Sequence, residues 1–529
     1  MAATITATEL HARLHGPDAG EVALLDVREL GQIAEGHILF SAPLPYSRLE
    51  LGLPDLVPNR RVPLILLDAG DGVAARAAVR AQSMGYHDIS MLDGGVAAWQ
   101  AAGYELFDGV NVPSKVFGEL IELDQHTPRL SASDLQARRD AGEKLVVVDG
   151  RPLDEYRRMN IPGATCCPNG ELALRIDSLV PDADTTVVIN CAGRTRSIIG
   201  AQTLIDLGLP NPVYALENGT QGWELAGLTL HRGTEGSLPL PAAAEARRDT
   251  ALALAEQHGV ARIDRATLEA WLRDIDRTLY LFDIRTSAER ADDDDDVAEL
   301  LAHQRVVHAP GGQLVQATDR WVGVRRARIV VMDTEGVRAP VVAAWLSRLG
   351  HNAAVVDGGI SALAGLPTRP APVAPNIPPL ARINLTALTN GPLRQTATII
   401  DLRNSADYRG AHIPGAKWST RARITEVAGS RHNLLVAQDP KVAELAAIDL
   451  REAGVTELGY LDVGMGRWRA AGHPVTESPS DPPDADRIDF IFHTHDRHQG
   501  NLDAARAYLS WEVALIDRLS PEERAVFRI

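Results

Sequence analysis

Four times along the chain a short apolar run ends in Asp, one further residue and Arg. The runs close on Leu24-Leu25-Asp26-Val27-Arg28, Val147-Val148-Asp149-Gly150-Arg151, Leu281-Phe282-Asp283-Ile284-Arg285 and Ile399-Ile400-Asp401-Leu402-Arg403. A turn follows, read as Ile161-Pro162-Gly163-Ala164 in the second copy and Ile413-Pro414-Gly415-Ala416 in the fourth. Each copy then has a second apolar run: Leu64–Leu67, Val187–Asn190, Ile329–Met332 and Leu434–Val436. After it come a short loop, a helical stretch and a glycine that ends it, at Gly85, Gly208, Gly350 and Gly454. Glycine suits the left-handed residue that closes a helix. A third run leads to an acidic turn, Asp93-Gly94-Gly95, Glu217-Asn218-Gly219, Asp357-Gly358-Gly359 and Asp462-Val463-Gly464.

Short apolar strands alternating with helices predict α/β domains, each a mostly parallel sheet with helices on both faces. The spacing of about 120 residues between the four Asp-x-Arg ends is a domain size, not a solenoid repeat. The expected domains are 1–110, 125–233, 255–370 and 380–476, with a C-terminal extension over 484–529. Linkers are expected near Val110–Leu130, Gly233–Ala244 and Pro370–Pro379. The first and second domains are expected to pair, and likewise the third and fourth. In the extension, Ile488–Phe492 reads as a strand, and Leu502–Leu509 and Trp511–Leu519 as helical turns. It is too short for a fifth copy and can dock on a domain or, in a homodimer, on a second subunit.

Composition narrows the chemistry. At 529 residues the chain exceeds a single core. A net charge of -17 disfavours nucleic acid and anionic membrane surfaces as partners. No stretch reaches the ~20 apolar residues of a membrane span, and the N-terminus lacks the pattern of a secretory signal, so a cytoplasmic location is expected. The run Asp292–Asp296 reads as a solvated loop. His493 and His495 alternate, as strand residues facing one way would, but read as surface residues; no metal and no cofactor are expected. The three cysteines, Cys166, Cys167 and Cys191, are too few for a disulfide framework. Adjacent Cys166 and Cys167 read as small buried side chains.

Cys191 is different. It heads the loop Cys191-Ala192-Gly193-Arg194-Thr195-Arg196, between the second strand of its domain and a helix expected to start near Ser197. Ligands of open α/β sheets bind at the carboxyl ends of strands, and the amides of a tight loop entering a helix favour an anion. Arg194 and Arg196 add positive charge, Gly193 eases the turn, and Thr195 or Ser197 can cap the helix or donate to a ligand. A thiolate at the head of such a loop is a stabilised nucleophile.

These residues together resemble the rhodanese (thiosulfate sulfurtransferase) superfamily, and the resemblance covers all four repeats. It implies that Cys191 attacks the outer sulfur of thiosulfate, releases sulfite and passes the persulfide sulfur to cyanide or a thiol. It also implies substrate binding by Ala192, Gly193, Arg194, Thr195, Arg196 and Ser197. The alternative is a persulfide carrier or scaffold that delivers sulfur to a partner protein. Related phosphatases and arsenate reductases use a Cys-x5-Arg loop; here the corresponding position is Ser197, which favours sulfur transfer. Mercaptopyruvate and a low-molecular-weight persulfide remain the other candidate donors. The helix-ending glycines align Asp68, Asp333 and Ala437 with Cys191, so the other three copies are expected to be inactive. By analogy the first domain is the expected neighbour of the Cys191 loop. Asp149, Arg151 and Glu155 read as a structural cluster, because the trio recurs in copies without a thiol.

Overall fold

The computed structural model describes residues 3–16, 19–241, 244–370, 375–390, 393–462 and 464–529. Val463 and parts of two expected linkers lie outside the described residues. The chain builds four sheets in sequence. In the second, the strand order is Arg129–Leu130, Val213–Leu216, Thr186–Asn190, Leu145–Asp149 and Thr165–Cys166, all parallel. The other three sheets repeat this order. Strands Val22–Asp26, Leu64–Leu67, Thr186–Asn190, Leu279–Asp283 and Asn433–Val436 are buried along their whole length, as an apolar run covered on both faces requires.

The Asp-x-Arg ends form one device four times. Arg151 clasps Asp149 at 2.9 and 2.7 Å and donates to the Met159 carbonyl at 2.7 Å. Arg28 and Arg403 do the same with Asp26 and Asp401, reaching the Gly36 and Ala411 carbonyls. In the third sheet Arg285 turns instead to Asp293, at 2.8 Å from both of its ends. The acidic run is a loop over Asp292–Asp294, and all of its aspartates but Asp293 are exposed, as expected. Asp293 is an ion-pair partner, and Asp294 caps the helix Asp295–His303.

The four units do not pair in chain order. The second meets the third through Arg338, which is fully buried and holds Glu171 at 3.0 Å and Glu289 at 2.9 Å. The first meets the fourth through Arg421, also fully buried, bonded to Glu50 at 2.6 and 2.9 Å and to Asp449 at 3.0 Å. The third unit adds the strand Val324–Arg325 antiparallel to the edge of the first sheet. These cross-links depend on side chains far apart in sequence, which a repeat pattern does not encode.

The expected linker Val110–Leu130 contains a structural element, and the C-terminal extension is packed on the units. Val112–Gln125 is a helix burying Val112, Val116, Phe117, Leu120 and Ile121, a spacing that is itself helical. It packs on the helix Thr195–Asp206. Gly118 permits the approach, since a Cβ there would lie 2.9 Å from Thr195 Cγ2. The C-terminal segment docks on its own chain and contains no strand over 488–492. Its Ile488 carbonyl accepts from Gln32, its Asp489 from the Ser405 amide, and its Arg528 amide donates to Arg348. The helix Leu502–Ala514 is continuous where two turns were expected.

Arg421→Ala removes the bidentate partner of buried Glu50 and leaves Asp449 to Arg80, 2.6 Å away, and is expected to cost about 3–5 kcal/mol. The exposed pair of Arg423 with Asp486, 3.5 Å apart, is worth at most about 1 kcal/mol. Thermal melts should therefore show a large drop for Arg421→Ala and almost none for Arg423→Ala.

Candidate active site

In each unit one residue stands immediately past the buried strand that precedes the loop: Asp68, Cys191, Asp333 and Ala437. This is the alignment expected from the helix-ending glycines, all four of which have positive φ. The two aspartates show what the position does. Asp68 accepts from the amides of Gly70, Gly72 and Ala74 at 2.9, 3.1 and 3.0 Å. Asp333 accepts from those of Gly336, Val337, Arg338 and Ala339 at 2.8–3.2 Å. Each loop curls its N–H groups around a negative oxygen pair. In the fourth unit the loop is shorter, and Asp439 caps the helix Pro440–Glu452 instead.

Cys191 takes this position in the second unit. The N–H groups of Ala192, Gly193 and Arg194 donate to no described protein acceptor. The loop is held from its carbonyl side: the Thr220 amide donates to Cys191 O at 2.8 Å, and Gln221 donates to Ala192 O at 3.2 Å from its amide and 3.0 Å from Nε2. Gly219 has φ +54°, and a Cβ there would collide with the Cys191 carbonyl. The turn glycine after the third strand thus lets the loop sit down on the next helix. Cys191 lines a cleft of about 400 Å³.

The other two thiols have no such setting. Burial pushes Cys166 up to about 12 and Cys167 well up too, so both stay protonated at neutral pH.

The expected loop residues are present but differ in role. The helix starts at Thr195, two residues before the expected Ser197. Thr195 donates to Glu512 at 2.7 Å, and Ser197 to the Arg194 carbonyl at 2.7 Å, so neither hydroxyl proton is free for a bound anion. Gly193 has no positive φ. It is small because a Cβ would come within 3.1 Å of Glu512 Oε2. Arg194 is clasped by Glu119 at 2.7 and 2.8 Å and also pairs with Glu122. Arg196 is clasped by Glu155 at 2.8 and 2.9 Å. Glu155 is therefore part of the loop's support rather than of the strand-end cluster alone. Both guanidiniums brace the loop and carry their own counter-ions.

A profile of the family described as Rhodanese-like domain matches residues 6–102 and 131–226. A solved thiosulfate sulfurtransferase of Pseudomonas aeruginosa is 38% identical and superposes with a TM-score of 0.86, covering 100% of this chain and 99% of that one. The chain belongs to the rhodanese family. A thiosulfate sulfurtransferase of Azotobacter vinelandii is 26% identical over 245 residues, 39% of this chain and 88% of its own length. An HTH-type transcriptional regulator of Mycobacterium tuberculosis is 36% identical over 104 residues, and the match spans only 45% of that protein.

The walls of this rhodanese cleft were not legible in the sequence. The first unit does not supply them. Lys115 comes from the linker helix, Gln313, Gln316 and Arg320 from the third unit, and Arg497, His498, Tyr508 and Glu512 from the C-terminal segment. Lys115 is buried, bonds the Tyr508 hydroxyl and lies 3.6 Å from Glu512. The apolar spacing of the linker helix was the one available signal. His498 is pushed down to about 3, chiefly by burial, and is neutral at physiological pH. His493 and His495 do not share a face. The first meets Trp511 edge-on and the second packs at a tilt against Phe490, and no group able to hold a metal ion occurs among the described residues. No helix of the described residues is long and apolar enough to cross a membrane.

Asp333→Ala removes the acceptor of four loop amides and is expected to lower stability by about 1–3 kcal/mol. Urea unfolding checks it; an unchanged midpoint would mean that water replaces the carboxylate without loss.

Proposed function

We propose that this protein is a thiosulfate sulfurtransferase whose nucleophile is Cys191. One observation carries the reading. Where two sibling loops fold their amides around an aspartate, the second loop offers a thiol and unpaired N–H groups. A thiolate, a persulfide and a sulfonate are all anions that such a cradle favours. The Cys191 thiolate attacks the outer sulfur of thiosulfate. A bond forms between the two sulfurs, the donor's S–S bond breaks, and its electron pair leaves with sulfite. Cyanide or a thiolate then attacks the outer sulfur of the persulfide and returns Cys191 as thiolate. The charges balance at each step, and no cofactor takes part. The likeness to the Pseudomonas aeruginosa sulfurtransferase over the whole chain supports the assignment.

The third and fourth sheets are two further rhodanese-like domains without a thiol, a reading supported by their common strand order and Asp-x-Arg ends. The first domain's Asp68 and the third's Asp333 occupy their own cradles, so neither binds a substrate anion. The cleft is walled by residues of this same chain on several sides, which favours small donors and acceptors over transfer to a bulky partner.

Cys191→Ser is expected to abolish thiocyanate formation from thiosulfate and cyanide, and the one-sulfur mass gain of the chain, while Cys166→Ser and Cys167→Ser keep both. Full turnover in Cys191→Ser would overturn the assignment. Gly219→Ala, which drives a methyl into the Cys191 carbonyl, is expected to slow turnover at least about tenfold. Gly227→Ala, at a φ of +77° but with nothing within 4 Å, tests whether backbone strain alone suffices.

A further inference from the structure

The proposed attack brings an anionic thiolate onto a dianion, and the two charged loop residues are already neutralised. Arg194 faces Glu119 and Glu122, and Arg196 faces Glu155. Yet the cleft is lined by more cations than carboxylates in a chain of net charge -17. Seven Lys or Arg side chains line it against two carboxylates, Glu155 and Glu512. Glu155 is taken by Arg196, and Glu512 by Thr195 and Lys115. Three of the arginines form no ion pair with any described carboxylate: Arg158, Arg320 and Arg497. Arg158 follows the strand-end clasp of the second unit, Arg320 lies in the third unit, and Arg497 in the C-terminal segment. Arg158 and Arg320 are exposed at the cleft mouth. Arg497 is half-buried. Its guanidinium lies 3.7 Å from the Tyr508 ring centre, its Nε donates to His498 Nε2 at 3.0 Å, and its buried Nη1 has no partner. A half-buried guanidinium that lines the cleft and has no carboxylate partner favours an anion there.

We propose that Arg158, Arg320 and Arg497 form an oxyanion subsite at the mouth of the Cys191 cleft, which binds the sulfonate end of the sulfur donor while its outer sulfur meets Cys191. The inference rests on the sulfurtransferase reading and extends it. In it the thiol-free third domain and the C-terminal segment each supply a residue to the active site. Arginine suits the task, because its planar fork matches an oxyanion.

Two measurements on the full-length protein test it. The first needs no turnover. Iodoacetamide, a neutral reagent, alkylates Cys191, read by mass spectrometry, with sulfate as the anion probe and chloride matching ionic strength. Sulfate is expected to protect wild type and to lose at least about fivefold of its apparent affinity in Arg320→Gln/Arg497→Gln. The second is steady-state kinetics. The KM for thiosulfate is expected to rise at least about tenfold in the double variant, with a much smaller fall in kcat and no rise in the KM for cyanide. Arg320→Lys/Arg497→Lys should recover part of the affinity. It retains the charge and separates a binding loss from misfolding, which a thermal melt also reports. Equal sulfate protection and equal thiosulfate KM in a folded double variant would overturn the subsite. If wild type forms no persulfide from thiosulfate but sulfate still protects Cys191 through these arginines, the donor assignment fails and the anion subsite stands.

Discussion

Backbone N–H groups gathered at the carboxyl end of a buried strand need an acceptor, and that need organises this molecule. A parallel sheet delivers the chain to its own edge, and the turn into the following helix points several amides at one spot. Asp68 and Asp333 meet the requirement with their own carboxylates and make closed, self-satisfied loops. Cys191 places a sulfur there and leaves neighbouring amides free of protein acceptors. Structural and chemical versions of one loop thus differ by the side chain at its head.

The charges around that loop follow a second rule. Arginines beside a reactive thiol invite the thought that they bind substrate. Here Arg194 and Arg196 are each fixed by a bidentate carboxylate, an arrangement that gives geometry rather than free charge. Their work is to hold the loop against the linker helix and the helix bearing Glu155. On the proposed reading, substrate charge is met by cations with no carboxylate partner, on parts of the chain remote in sequence.

The same logic explains why four repeated units do not behave as a string. Buried arginines bridge units across the expected pairs: Arg338 joins the third to the second, and Arg421 the fourth to the first. Each is satisfied by carboxylates of both units, so neither unit can leave without exposing or orphaning a charge. The C-terminal segment runs over this assembly, with Arg518 held by Glu105 and Asp108 and Arg528 bonded to Arg348. Its path carries Arg497, Tyr508 and Glu512 to the cleft.

The sequence by itself determined the local devices. Period, strand-end Asp-x-Arg, helix-ending glycines and the loop-heading residue all lie within one unit, where a few neighbouring residues dictate the backbone. So the α/β class, the four sheets, the position of Cys191 and the aspartates standing in for it could be read directly. Tertiary structure alone decided which units touch, that Val110–Leu130 contains a packed helix rather than a linker, and that the C-terminal segment is a wall of the cleft. It also decided that the loop arginines are paired, because Glu119, Glu122 and Glu155 reach them only after folding. Contacts between buried charges carry no periodic signal, and a side chain's partner depends on which surfaces are brought together.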